Sequence, residues 1–188
     1  MLGRAATPDD RAMTSRETGV AGVSFGRVRA HEDERGAFRE VWRASAFPEA
    51  SFVQANRSTS RAGALRALHY HRRQIDHWIV LDGRVFVALV DLRPLIRDAE
   101  ARPIVETRTL SADDTVTIPL HVAHGFLALE PTELLYLVTN EYDGSDELGI
   151  AWDDPELAVP WPTDEVEAVI LSERDRANPR LTELRGRI

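Results

Sequence analysis

Cysteine and lysine are both absent from the 188 residues of this chain. Without cysteine there are no disulfides, no thiolate nucleophile and no cysteine-ligated zinc site. Without lysine all 23 basic residues are arginine, so Schiff-base chemistry and stabilisation of an enolate by an ammonium group are both out of reach. No apolar run approaches the ~18–20 residues of a membrane-spanning helix, and no membrane partner is expected. The start, MLGRAATPDDRAMTSRETG, lacks the apolar core of a signal peptide, and its Pro, Asp and Thr predict a loose tail over residues 1–20. A formal charge of −8 argues against a nucleic-acid partner, which would demand a basic face. Repeats, heptads and low-complexity blocks are missing too, which excludes solenoids and coiled coils. A cytoplasmic home fits these absences.

The chain is 43% apolar and 29% charged, which places it among water-soluble globular folds rather than disordered chains. Its length suits one core, so residues 21–188 are expected to form a single domain. Short β-rich runs dominate: GVSFGRVRA, GAFREVW, SFVQANRSTS, DHWIVLDGRVFVALVDLR, TRTLSADDTVTIP, GFLALE, ELLYLVTNEY and EAVILS. Turn chemistry separates them at Asp33-Glu34-Arg35-Gly36, Asp82-Gly83, Ala112-Asp113-Asp114 and Asp143-Gly144-Ser145-Asp146. Asp82-Gly83 is the strongest hairpin signal, because that dipeptide suits a two-residue turn with positive φ. Helical patterning is confined to Arg43–Phe47 and to SERDRANPRLTEL near the C-terminus. The expected fold is all-β: a jelly-roll sandwich or barrel with short peripheral helices.

Half of the six histidines, His69, His71 and His77, fall within nine positions. On a strand His69 and His71 share a face, with Arg66 nearby. A single histidine is most often there for packing, but five of six lie between positions 69 and 124. Gly63, His69-x-His71, Asp76 and Gly83 resemble the first motif of the cupin superfamily, with Asp for its usual Glu. PLHVAHG resembles the second, with Pro119 and His124 in register and His121 where Gly is usual. Metal-binding cupins use the equivalents of His69, His71, Asp76 and His124, a set suited to one divalent transition metal.

A longer resemblance runs from Val23 to Leu184. DERGAFREVW, QANRSTS, LRALHY, GRVFVALVDLR, IPLHVAHGF, YLVTNEY, GIAWDDP, PWP and LSERD follow one another as in the dTDP-4-dehydrorhamnose 3,5-epimerase family, itself cupin-like. That resemblance implies an isomerase acting on a nucleotide-diphospho-sugar. The enzyme inverts carbons flanking a ketone by removing a proton and returning it on the other face. It implies no cofactor and a homodimer whose partner strands complete the site. By position, His69 would be the base, Asp175 would bond its other nitrogen, and Tyr136 would be the acid. Arg35, Glu40, Gln54, Asn56 and Arg66 would hold the nucleotide and its diphosphate. Tyr142 would stack beside the base, and His124, Glu147 and Arg174 would contact substrate, with His71 and Asp76 reshaping the pocket. Gly36, Trp152, Pro155, Trp161 and Pro162 match as well but are expected in turns and core.

The pattern breaks at several places. Ala67 replaces a family Gly, His71 a family Gln, the following loop is shorter, and the family's lysine falls on Asp76. A carboxylate beside a developing enolate raises the barrier, by about 1.4 kcal/mol per tenfold in rate. An imidazolium at His77 or His71, or a metal held in part by Asp76, would offset it. Two rivals therefore stand beside the epimerase: a metal-dependent cupin enzyme using His69, His71, Asp76 and His124, and a non-catalytic binder of sugar nucleotides.

Overall fold

The computed structural model describes residues 18–188, so most of the expected tail lies outside the described residues. Val20, four residues before the first strand, is fully buried in the core.

Ten strands make two antiparallel five-stranded sheets. The first contains β1 (Ser24–Arg27), β4 (Gln54–Ser60), β6 (Asp76–Asp82), β9 (Asp114–Ile118) and β11 (Thr132–Val138), in the order β1-β9-β6-β11-β4. The second contains β5 (Leu65–Tyr70), β7 (Arg84–Asp91), β8 (Ile104–Ser111), β10 (Val122–Ala128) and β12 (Leu148–Gly149), in the order β12-β5-β10-β7-β8. The chain changes sheet between β4 and β5, β5 and β6, β6 and β7, β8 and β9, on either side of β10, and again between β11 and β12, which is the jelly-roll sandwich expected. A separate hairpin, β2 (Ala30–Asp33) with β3 (Gly36–Arg39), forms an arm with almost every residue exposed.

Alternation along the strands builds the interior. Trp78, Val80, Val116, Ile118 and Leu134 of the first sheet meet Val85, Val87, Leu89, Phe126 and Ala128 of the second. The outer face of the second sheet carries Ala88, Val90, Ala123 and Leu127, and the C-terminal third covers it with Leu157, Leu181, Trp152 and Trp161. Trp161 donates its indole N–H to the Trp152 carbonyl at 2.9 Å, so these tryptophans are the packing residues expected.

The Asp82-Gly83 hairpin is not there. Gly83 has the positive φ its turn chemistry predicts, +82°. Yet β6 pairs with β9 and β11 while β7 pairs with β8 and β10, so the turn is a corner between sheets. Local chemistry sets a turn's dihedrals, whereas the apolar runs WIVL and VFVALV need cover on both faces, and a lone hairpin supplies neither cover nor second neighbours. A Cβ at Gly83 would stand 2.3 Å from the Pro131 carbonyl oxygen, because a second corner packs against this one.

The EAVILS run contributes one parallel bridge, Ile170 with Ala64, and no strand. A short helix at Arg93–Arg97 (α1) was not expected; Pro94 in its first turn is the signal for it. Helical turns do occur at Ala44–Ala46, Glu173–Arg176 (α2) and Leu181–Leu184 (α3), where patterning predicted them.

Candidate active site

Apolar side chains fill only part of the space between the sheets. Elsewhere it opens as a cavity of about 730 Å³ lined from both walls. The first sheet contributes Gln54 and Asn56 of β4, Asp76 and Trp78 of β6, and Tyr136 of β11; the second contributes Arg66 and His69 of β5, His71 just past its end, and His124 of β10. Strict alternation would send Arg66 and His69 to opposite faces. A register shift where β5 pairs with β10, between the His124–His69 and Phe126–Arg66 pairs, lets both line the cavity. Gly125 makes that shift possible: a Cβ there would stand 2.4 Å from the Ala67 Cβ and 2.6 Å from the Arg66 carbonyl oxygen.

His69 Nε2 lies 2.6 Å from Asp175 Oδ1. Asp175 sits in α2, where its backbone N–H donates to the Ser172 hydroxyl at 3.0 Å. Burial pushes the Asp175 carboxyl up, but the bonds from His69 and Ser172 and the charge of Arg174 outweigh it and hold the group below its ordinary value. An ionised carboxylate only accepts, so Nε2 carries the hydrogen and Nδ1 of the neutral ring keeps the lone pair. Tyr136 stands on the opposite wall. Burial, then the charges of Asp76 and Glu147, raise its phenol above the ordinary value against the opposing Arg66, so the group stays protonated at neutral pH. A proton acceptor on one sheet and a proton donor on the other face each other across one cavity.

Deeper in, His71 donates through Nδ1 to the Asp146 carbonyl (2.8 Å) and His124 through Nδ1 to the Val122 carbonyl (2.9 Å). Burial lowers the His124 imidazole well below its usual range, with Asp76 opposing. Asp76 accepts from Gln74 Nε2 at 2.8 Å and from Trp78 Nε1 at 3.1 Å.

At the rim, Arg66 donates to Ser60 Oγ and the Thr59 carbonyl. Gln54 donates to Asn56 Oδ1 at 2.9 Å, and Arg174 bonds the Glu147 carbonyl at 2.9 Å beside its carboxylate. A family model described as dTDP-4-dehydrorhamnose 3,5-epimerase matches residues 17–183.

The chain belongs to that family. It is 38% identical to the dTDP-4-dehydrorhamnose 3,5-epimerase of Pseudomonas aeruginosa over 174 residues, 87% of this chain and 93% of that one. Its fold matches the solved rmlC epimerase of Mycobacterium tuberculosis with a TM-score of 0.81 and 34% identity, covering 93% of this chain and 91% of the other. It also matches dTDP-6-deoxy-D-glucose-3,5-epimerase of Legionella pneumophila, solved with dTDP-4-keto-L-rhamnose, with a TM-score of 0.77 and 31% identity, covering 88% and 90%.

Most residues expected for an epimerase site do converge: Gln54, Asn56, Arg66, His69, His71, Asp76, His124, Tyr136, Glu147, Arg174 and Asp175 all line the one cavity. Other expected residues are placed differently. Arg35 and Glu40 are absent from the lining of this cavity among the described residues; Arg35 pairs with Asp33 and Glu40 with Arg43. Tyr142 does line the cavity, at its mouth, 71% exposed and held by its backbone N–H on Gln54 Oε1, but its ring makes no contact with that of His69 among the described residues. His77 cannot be an imidazolium in the cavity: adjacent to Asp76, it faces outward, packs edge-on to Phe47, and burial lowers its pKa to about 4. His69 is not in the group of ligand atoms that comes together: among the described residues that group is His71, Asp76 and His124.

Three supporting residues were not anticipated: Gln74, Trp78 and Ser172. Ser172, three before Asp175, fits the Ser-x-x-acid pattern of a helix start, a signal present in the sequence. Gln74 and Trp78 stand two residues before and after Asp76, so the period-two alternation of an extended chain is the signal that could have found them.

Proposed function

We propose that this chain inverts one or both carbons flanking the ketone of a nucleotide-linked 4-keto-6-deoxy sugar. The observation that carries the reading is the His69–Asp175 pair facing Tyr136 from the opposite wall of one cavity. His69 Nδ1 takes the proton α to the ketone, and the C–H electron pair moves into an enolate. Asp175 stabilises the imidazolium so formed. Tyr136 then gives its proton to the same carbon from the far face, the ketone re-forms, and both residues restore their protons by exchange with water. No oxidant or reductant is consumed. Arg66 and Arg174 at the rim suit a diphosphate, since a guanidinium binds phosphate oxygens through paired N–H groups.

The active species in this reading is a cytoplasmic homodimer. Arg35 lies on an exposed arm with the exposed apolar Phe38, and Glu40 and the exposed Trp42 follow it in the chain, a surface suited to packing on a second copy and completing its nucleotide site. The test is deuterium wash-in followed by NMR with dTDP-4-keto-6-deoxyglucose in D₂O. Exchange at C3, C5 or both supports the reading and counts the centres handled. Nucleotide-sugar binding without exchange would favour the non-catalytic binder.

A further inference from the structure

We propose that His71, Asp76 and His124 form a binding site for a single divalent first-row transition-metal ion at the base of the cavity. One ligand atom from each lies within 4.8 Å of the others, and all three residues are buried. The hydrogen-bond pattern fixes what those atoms offer. The Asp146 and Val122 carbonyls can only accept, so Nδ1 of each ring carries the hydrogen and Nε2 of each neutral ring presents a lone pair. Those Nε2 atoms face the Asp76 carboxylate at 4.0 and 3.8 Å, too far for hydrogen bonds.

Three electron-pair donors thus converge in a buried space. Two indifferent rings beside a carboxylate would be costly there, whereas a cation satisfies all three at once. Metal–ligand lengths of about 2.0–2.2 Å put neighbouring ligand atoms ~3.0–3.5 Å apart, so atoms now within 4.8 Å of one another must close by at most ~1.8 Å, on the scale of side-chain rotation. The surroundings are those of a ligand set already oriented. Carbonyls fix both imidazole tautomers, while Gln74 and Trp78 hold the carboxylate through neutral N–H groups and bring no competing positive charge. Two imidazoles and one carboxylate suit iron, manganese, cobalt or zinc, with positions left open for oxygens of a substrate. His69, on β5 two residues before His71, stays outside the set, tied to Asp175. Resting on the function proposed above, the ion would supply the positive charge that an enolate oxygen needs in a chain with no lysine.

The test is titration of the chelator-treated chain with Co²⁺, read by its visible d–d absorption. Saturation at one equivalent is expected, with affinity lowered at least tenfold in His71→Ala, Asp76→Asn and His124→Ala. It should be unchanged in His69→Asn and in His31→Ala on the exposed arm; circular dichroism checks folding. No Co²⁺ spectrum in the wild-type chain, or a spectrum that survives both Asp76→Asn and His124→Ala, overturns the site. Wash-in is run on the same samples. Exchange that is undiminished by chelation in a chain without Co²⁺ binding removes the metal and leaves the epimerase. Co²⁺ binding with no exchange in any sample keeps the site and removes the epimerase.

Discussion

Asp175→Asn probes the proton-abstraction step most directly. The carboxylate contacts His69 Nε2 at 2.6 Å and is buried, whereas His69 is only partly so. The substitution keeps size and removes charge. A hydrogen bond to a charged group is worth about 1.5–3 kcal/mol, and partial exposure of His69 argues for the middle of that range. Converted at about 1.4 kcal/mol per tenfold, this is ~10- to 100-fold in rate. The amide adds a second fault: its N–H₂ can donate to Nε2, which moves the ring hydrogen to Nδ1 and takes away the lone pair that abstracts the proton. The expected result is a fall of about 100-fold in kcat for deuterium wash-in, with KM unchanged within about twofold, because Asp175 touches the base and not the nucleotide. A variant with full kcat, or with a raised KM and intact kcat, would refute the assignment of His69 Nδ1 as the base.

Tyr136→Phe should leave solvent exchange in place while inversion falls ~100-fold, the lower end of what general acid catalysis contributes, which NMR of the recovered sugar would reveal. Because the Tyr136 phenol is raised by burial, its neutral form persists above pH 10, and the alkaline limb of kcat should lie above that value in a pH–rate profile. Asp175 also bears on stability: its folded-state carboxyl lies below the ordinary 3.8, so it stabilises the fold above about pH 4 and loses that contribution as pH falls through the depressed value. Denaturant unfolding of wild type and Asp175→Asn should therefore differ near neutrality and converge in strong acid. Gly125→Ala would force a methyl into the Ala67 and Arg66 backbone and should cost about 1–3 kcal/mol, seen as a lower urea midpoint. Phe38→Glu on the arm should shift sedimentation towards monomer and raise KM; an unchanged mass and KM would remove the arm from the nucleotide site.

The fold class was legible because it rests on local signals. Alternating apolar runs and the turns between them mark strands wherever they pair, and the turn expected at Asp33–Gly36 does join two strands, which pair as a hairpin. The order of motif blocks carried the family, and with it His69, Tyr136 and Asp175. Pairing was not legible. Asp82-Gly83 has the chemistry of a hairpin and serves as a corner between sheets, because partner choice minimises exposed apolar area over the whole sandwich and not across one turn. Histidines show the same limit. His69, His71 and His77 look alike in sequence. Yet one bonds a carboxylate more than a hundred residues away, one presents a lone pair beside Asp76, and one is buried behind Phe47 on the far face. Residue types and strand periodicity determined that this chain would be a jelly roll with an imidazole-rich strand in its wall. Only the tertiary structure decided which nitrogen keeps a lone pair and which carboxylate it meets, since hydrogen-bond partners and burial are set by residues distant in the chain.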